Sequence, residues 1–371
     1  MVLHETEDGM RVAPARRVTL QSVADALGVS RTTVSNAYNR PEHLSAALLE
    51  RVRETARDLG YSGPHPAAHK LRTGRNAAIG LVTTDSLPYA FLDEAAASFL
   101  QGVAMACEAA ETSLLLMPLV EGNSRSLNQI NLAAVDSVIC YSIPDQHPAL
   151  EAVLCRHVPV VIVDGPQEPS ADWVGLDQQA ASAETARYLA SLGHLNVGIL
   201  CHRLADEPYV GHVDALRLAR ATYPVQRERA RGFLDEFMTV TAGKGAVHIT
   251  EQIVSDIQSG RAGAEALLSD FPEITAIVCT CDALAKGAIL AATSRGLVVP
   301  RDLSVTGFDD IPSAEAAGLT TVRQPMVEKG QVAGKLALGG PSSEAHRRVV
   351  LPTSLVIRHT TGPAPVGPRT G

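Results

Sequence analysis

The sequence predicts a small all-α headpiece followed by a large core in which an α/β fold occurs twice over. Three observations carry that expectation. Two short amphipathic helical patterns flank Gly28. From residue 77 onward, short apolar runs alternate with longer helical patterns. The 371 residues also exceed what one compact domain usually holds.

Leu20, Val23, Ala24 and Leu27 fall at i, i+3, i+4 and i+7, one face of a helix entered at Thr19 as N-cap. Gly28 stops that helix because glycine accepts the positive φ of a C′ position, and Ser30 can cap the next one. The result is helix, tight turn, helix. In the second helix Val34 and Tyr38 lie one turn apart and face inward, leaving Arg31, Thr32, Ser35 and Asn36 outward. Such a face can read base edges, since Arg pairs bidentately with guanine and Asn with adenine in the major groove. A third helix is expected from Ser45, carrying Leu49, Val52, Ala56 and Leu59. Spacing alone fits a plain helical hairpin with a solvated face equally well.

The residue identities separate the two readings. V-T-L-x-x-V-A-x-x-L-G-V-S-x-x-T-V-S-x-x-x-N, followed by a serine-capped helix ending L-G-Y, resembles the DNA-binding headpiece of the lactose-repressor (LacI) family of bacterial transcription regulators. That resemblance implies base contacts by Arg31, Thr32, Asn36 and His43. It implies backbone contacts by Ser30, Thr33, Ser35, Asn39 and Ser45, which fix register without reading sequence. After Pro64 and Pro66, AAHKLRTGR resembles the family's hinge helix, with Ala68 and Leu71 in the matching places. The implied role of Lys70 and Leu71 is at the minor groove, where Leu71 from each of two subunits wedges into a base step and kinks the duplex. Without that role the segment is a linker whose Lys70, Arg72 and Arg75 attract phosphates.

A formal net charge of −8 argues against nucleic-acid binding by the molecule taken whole. Its distribution reverses the inference, because residues 1–75 carry 11 Lys and Arg against 8 Asp and Glu, and the acidic excess lies beyond them. Cys107, Cys140, Cys155, Cys201, Cys279 and Cys281 are scattered, mostly in apolar runs, which reads as reduced thiols in a cytoplasmic protein. Cys279 and Cys281 lie within an expected strand, and no neighbouring Cys/His cluster completes a metal site. No apolar span of membrane length and no secretory h-region is present. Residues 1–17 are expected to be a disordered extension and 362–371 a flexible tail.

The apolar runs of the core are AAIGLVT, SLLLMP, SVICY, VPVVIVD, NVGILC, AVHIT, AIVCTC and LSVTGF. Separated by helical patterns, they read as parallel strands joined by crossover helices. A packing helix is expected over 90–111, with Leu100, Val103, Ala104 and Cys107 on one face, and a second set of elements is expected to begin near Val174. The order of V-G-L-D, L-G-H, R-x-R-G-F, V-P-x-D-L-S-V-T-G-F-D-D-I-P and L-T-T-V-R-Q-P is similar to the core of the same family. Its fold is periplasmic-binding-protein-like, with two doubly wound lobes and a ligand at the carboxyl ends of the strands. The implied division is headpiece 18–63, hinge 64–76 and core 77–361. Within the core, lobe 1 takes about 77–175 and 325–350, and lobe 2 about 176–322 and 352–360.

By the same match Asp164, Arg229 and Asp309 are the effector-binding acid, arginine and second acid, with Asp310 competing for the last role. Carboxylates and a guanidinium suit vicinal hydroxyls. Thr84, Tyr89 and Met326 match less specific pocket positions, and Cys281 and Asp282 stand where the family commonly carries Asn-Asp. The exchange of an amide for a thiol, the appearance of D-N-x-x-G as Asp177-Gln178-Gln179-Ala180-Ala181, and an unusually long loop over 201–226 all bar transfer of a known effector. His194 in L-G-H reads as a packing or capping residue.

The resemblance implies a homodimeric, sequence-specific regulator, most simply a repressor, that binds a pseudo-palindromic DNA operator and is controlled by a small polar effector, first a sugar, next a nucleoside. No cofactor is expected. No leucine heptad follows the core to support a coiled-coil tetramer. A second class of function is a cytoplasmic small-molecule binder whose helical segment serves assembly. A third, an enzyme, lacks any phosphate-binding glycine loop, G-x-S-x-G elbow or H-E-x-x-H.

Overall fold

The structure is a computed structural model that describes residues 18–61, 76–119, 124–340 and 346–365. The expected N-terminal extension, almost all of the hinge (including Lys70 and Leu71) and residues 366–371 lie outside these. The chain divides after Asn76 into two compact units.

The first unit holds α1 (Leu20–Leu27), α2 (Arg31–Asn39), a 3-10 turn (Pro41–His43) and α3 (Ala46–Asp58). Thr19 caps α1 through a reciprocal box with Ser22. Gly28 ends it at φ 65° and ψ 31°, a left-handed conformation that costs residues with a Cβ about 1–2 kcal/mol. Ser30 Oγ accepts from Thr33 N at 3.0 Å and Ser45 Oγ from Leu48 N at 3.3 Å, so each later helix also starts on a serine cap. Val23, Ala24, Val34, Ala37, Val52 and Ala56 form the core, ringed by half-buried Leu20, Leu27, Leu49, Tyr38 and Tyr61. Leu59, expected inside, is 38% exposed because it follows α3 as its C-cap rather than sitting on the inner face.

In the second unit the elements run β1 (Ala78–Thr83), α4 (Leu87–Leu92), α5 (Glu94–Ala109), β2 (Ser113–Pro118), α6 (Ser124–Leu132), β3 (Ser137–Tyr141), α7 (Pro148–Leu154), β4 (Val160–Val163) and β5 (Asp172–Leu176). They continue with α8 (Gln178–Ser191), β6 (Asn196–His202), β7 (Gly211–His212), α9 (Ala215–Ala219), α10 (Pro224–Val240), β8 (Ala246–Gln252), α11 (Ile257–Asp270), β9 (Ala276–Cys279) and α12 (Asp282–Ser294). The last are β10 (Ser304–Asp309), α13 (Pro312–Ala316), β11 (Thr320–Arg323), α14 (Met326–Leu338), β12 (Arg348–Leu351) and β13 (Ser354–Val356).

Two sheets result, ordered β12-β5-β4-β3-β1-β2 and β13-β11-β10-β9-β6-β8-β7. The first is wholly parallel. The second is parallel except at its edges, β13 and β7. Alternation along the strands sends side chains to two helical layers. In lobe 1, Ile79, Leu81, Ile139, Val161 and Val163 pack with Phe99 and Val103 of α5, while Val82, Val138, Cys140 and Ile162 pack with Ile130, Leu150 and Val153 on the opposite face. In lobe 2, Val197, Ile199 and Cys201 face Phe233 and Phe237 of α10, while Leu200 faces Leu267 and Leu284.

Facing helices approach at glycines. A Cβ on Gly102 of α5 would strike the Val327 carbonyl oxygen of α14, and one on Gly330 would strike that of Phe99.

Three details differ from the sequence reading. The second set of elements, expected to begin near Val174, starts after Leu176: Asp172–Leu176 pairs with β4 and β12 in the first sheet, and the chain crosses to lobe 2 at Asp177. The long segment 201–226 carries β7, which pairs antiparallel with β8, and α9. Finally, 362–365 is packed rather than loose: Gly362 N donates to Ser304 Oγ at 3.1 Å and Ala364 N to Leu192 O at 2.8 Å. Fully buried His194 holds this stretch, with Nδ1 2.8 Å from Thr275 Oγ1 and Nε2 3.1 Å from Gly362 O, the packing role expected of it.

Candidate functional site

Two surfaces carry the sequence-derived residues. On the headpiece, Arg31 and Thr32 occupy the exposed first turn of α2, and Thr33, Ser35 and Asn36 follow half-buried. The inward residues are Val34 and Ala37, fully packed, with Tyr38 against Tyr61 edge-on at 5.8 Å. His43 is exposed on the 3-10 turn, its Nε2 3.7 Å from Glu42 Oε1. Ser30 and Ser45 spend a hydroxyl lone pair on helix capping and stay exposed. The structure thus places Arg31, Thr32 and Asn36 on one short helix whose amino end projects, with a packed core behind.

The second surface lies between the lobes, at the carboxyl ends of both sheets' strands, where open α/β folds bind ligands. Ser142, Asp164 and Asp309 end β3, β4 and β10 with positive φ of 52°, 50° and 121°. Non-glycine residues rarely hold such backbones, and they gather at ligand sites. All three line one central cavity of about 80 Å3, together with Tyr89, Arg229, Cys281 and Met326.

Its floor is a buried polar row. Lys329 Nζ donates to Asp164 Oδ2 and to Gln324 Oε1, both at 2.6 Å, and Gln324 Nε2 donates to Asp309 Oδ1 at 2.5 Å. Arg229 Nη1 lies 3.3 Å from the same Asp309 oxygen and donates to Thr280 O at 2.6 Å, while its Nε donates to Gln178 Oε1 at 2.9 Å. The guanidinium carbon sits 3.5 Å from the Phe308 ring centroid. Two carboxylates therefore face two cations, all at most 8% exposed. Burial pushes the Asp309 carboxyl up to about 6 despite Arg229, and it lowers the Lys329 ammonium despite Asp164. His202, also on the wall, is pushed down to about 3 by burial and remains neutral.

Polar bridges draw the lobes together around this row. Arg227 Nη1 meets Asp145 Oδ2 at 2.6 Å, Arg203 Nη2 lies 3.6 Å from Asp85 Oδ1, Lys286 Nζ lies 3.3 Å from Glu94 Oε1, and the Tyr89 hydroxyl bonds Ser255. That closure leaves the centre narrow between wider compartments of about 370 and 410 Å3.

Two of the expected pocket residues are corrected. Asp282 is fully buried, its oxygens taken by Thr321 Oγ1 at 2.5 Å and Ile311 N at 3.0 Å, so it shapes the loop after β10 instead of meeting a ligand. Thr84 does not line the cavity. Its hydroxyl lies 3.4 Å from Ser142 O and from Arg203 Nη2, in the bridge between lobes. Asp310, the competitor of Asp309, turns to Arg323 and Arg358 at 2.6 and 2.7 Å. The sequence assigns no site role to Lys329, Gln324 or Tyr141, and it marks Gln178 only as a departure from the family pattern beside the cleft. Gln324 lies inside the quoted L-T-T-V-R-Q-P, Gln178 fills the amide slot of D-N-x-x-G, and Tyr141 ends a strand, but a lysine one turn into an amphipathic helix gives no signal. Among the described residues no cluster of three or more His, Cys, Asp or Glu is placed to hold a metal ion, and no helix is long and apolar enough to cross a membrane.

Comparison with known proteins matches residues 19–63 to the family "Bacterial regulatory proteins, lacI family" and 186–361 to "Periplasmic binding protein-like domain". An HTH-type transcriptional regulator of Mycobacterium tuberculosis, Rv3575c, is 43% identical over 359 residues, covering 95% of this chain and 99% of its own. The HTH-type transcriptional regulator IpsA of Corynebacterium glutamicum is 43% identical over 325 residues, 86% of this chain and 90% of its own. A crystal structure of a LacI-family regulator from Corynebacterium glutamicum superposes with a TM-score of 0.69 at 39% identity, covering 94% of this chain and 100% of that one. The lac repressor dimer bound to operator and the anti-inducer ONPF gives 0.73 at 25% identity, with 94% and 100% coverage.

Proposed function

We infer, for a chain that belongs to the LacI family of DNA-binding transcriptional regulators, that it acts as a homodimeric repressor whose operator affinity is set by a small polar metabolite, first a sugar, held between the lobes of the core. The observation that carries the ligand half is the buried row from Asp164 to Gln178, which spends two carboxylates and two cations on a cleft instead of a core. A buried ion pair gains little stability over apolar packing, and perturbed titratable groups gathered in a cleft support a binding role for it. Arg229 and Asp309 hold the ligand from lobe 2 and Asp164 from lobe 1, with Tyr89, Cys281 and Met326 around them.

On the headpiece Arg31, Thr32, Asn36 and His43 read base edges while Ser30, Thr33, Ser35, Asn39 and Ser45 fix register on the backbone. Two headpieces match the two halves of a pseudo-palindrome. Lys70 and Leu71 enter the minor groove and kink it. Effector binding changes the angle between the lobes and, through 64–76, the affinity for operator.

Selection of bound sequences from random DNA, repeated with candidate sugars, tests the reading as a whole. A two-fold symmetric site whose recovery falls with one sugar supports it, and an asymmetric site indifferent to every sugar would refute it.

A further inference from the structure

Tyr89, Asp93, Ser255, Cys281 and Asp309 line both the central cavity and the compartment of about 370 Å3 beside it, so they form the boundary between the two. Tyr89 belongs to α4 in lobe 1. Its hydroxyl donates to Ser255 O at 3.2 Å and meets Ser255 Oγ, in the turn between β8 and α11 of lobe 2. Burial raises the pKa of this phenol, so it stays a donor.

Packing does little to hold α4 in place. It has six residues, Ser86 precedes it without a side-chain cap, and Ala90 alone among them is buried, whereas Phe91 and Leu92 are 62% and 80% exposed. By contrast α5, which follows at once, has sixteen residues, starts on the Asp93 cap and buries seven of them. A helix as short as α4 is not stable by itself, and a segment with few buried contacts opens at a fraction of the cost of global unfolding. Ser86 and Asp93, both with extended backbones, are the two joints on either side of it.

We propose that α4 is a local gate: it swings on Ser86 and Asp93, releases Tyr89 from Ser255, and joins the outer compartment to the central cavity while the lobes stay bridged elsewhere. As the way in for an effector the gate rests on the cleft being the effector site. Its opening does not, and is tested without an effector.

Cys281 reports the opening. It lies on the boundary and is 8% exposed, and burial pushes its thiol up, so it reacts only when water reaches it. The full chain is treated with N-ethylmaleimide and each cysteine is followed by peptide mass mapping, with exposed Cys155 as the internal standard. Tyr89→Phe keeps the ring and removes the tether, so Cys281 should label about 2- to 10-fold faster, the range of one hydrogen bond. Ala90→Gly weakens α4 from within and should give roughly 5-fold. Arg227→Met breaks the bridge to Asp145 beside the 410 Å3 compartment and should leave Cys281 unchanged. Cys140, in the core of lobe 1, must stay unlabelled, which separates gating from unfolding, and Tyr89→Phe decides the matter if Ala90→Gly loosens the lobe. Unchanged Cys281 labelling in a folded α4 variant overturns the gate. So does acceleration by Arg227→Met equal to that by Tyr89→Phe, since the lobes then part as whole bodies. Neither result touches the cleft reading, whose own test is the response of operator binding to sugars.

Discussion

Replacing Lys329 by methionine keeps the length of the side chain and removes the charge that holds Asp164. Because both partners are buried, the carboxylate left behind is uncompensated, and such a loss costs about 3–5 kcal/mol. Urea denaturation should show that drop, whereas a cost under ~1 kcal/mol, the range of surface pairs, would mean that water reaches the pair. Asp309 poses the converse case. With its carboxyl raised to about 6 in the folded chain from an ordinary value near 3.8, the folded state binds that proton more tightly than the unfolded state. Its contribution is therefore full below about pH 4 and lost as pH rises through 6. Asp309→Asn should flatten the stability profile across that window, as read by denaturation at a series of pH values. On the headpiece, Arg31→Ala should cost about 1–3 kcal/mol at the cognate site and relax discrimination at one base pair. An equal loss on random DNA, measured by competition binding, would assign Arg31 to phosphates instead.

At the scale of elements, local chemistry fixes the joints. Gly28→Ala places a Cβ in a left-handed turn with open space around it, so backbone strain alone sets the cost, about 1–2 kcal/mol of headpiece stability. Faster amide exchange in α1 and α2 with the core unchanged is the expected outcome. The turn, caps and strand alternation were legible because each depends on a few adjacent residues. Asp164, Arg229 and Asp309 were legible through motifs at strand and helix ends. The row that joins them was not, since the Asp164–Lys329 contact spans 165 positions of sequence and Lys329 is fully buried where helical periodicity reads a solvated lysine. Asp282 misled for a related reason. It neighbours Cys281, which lines the cleft, yet one step along α12 turns its carboxylate inward to Thr321.

For the whole molecule, the proposed control imposes reciprocity. If a sugar weakens operator binding by some factor, operator must weaken sugar binding by the same factor. Calorimetric titrations with and without operator should differ by that factor, and equal sugar affinities would separate the cleft from DNA control.

The way the chain closes its own lobes has a bearing on synthesis. Lobe 1, begun at β1, gains its edge strand only with β12, and Thr360 and Gly362 bind the strand β10 and its neighbour Thr320 from the far end of the sequence. Neither lobe can therefore complete its hydrogen bonding until nearly all of the core has left the ribosome, whereas residues 18–61 have their whole apolar centre in hand early. A nascent chain halted midway would expose a finished DNA-binding headpiece ahead of the core on which the proposed control depends.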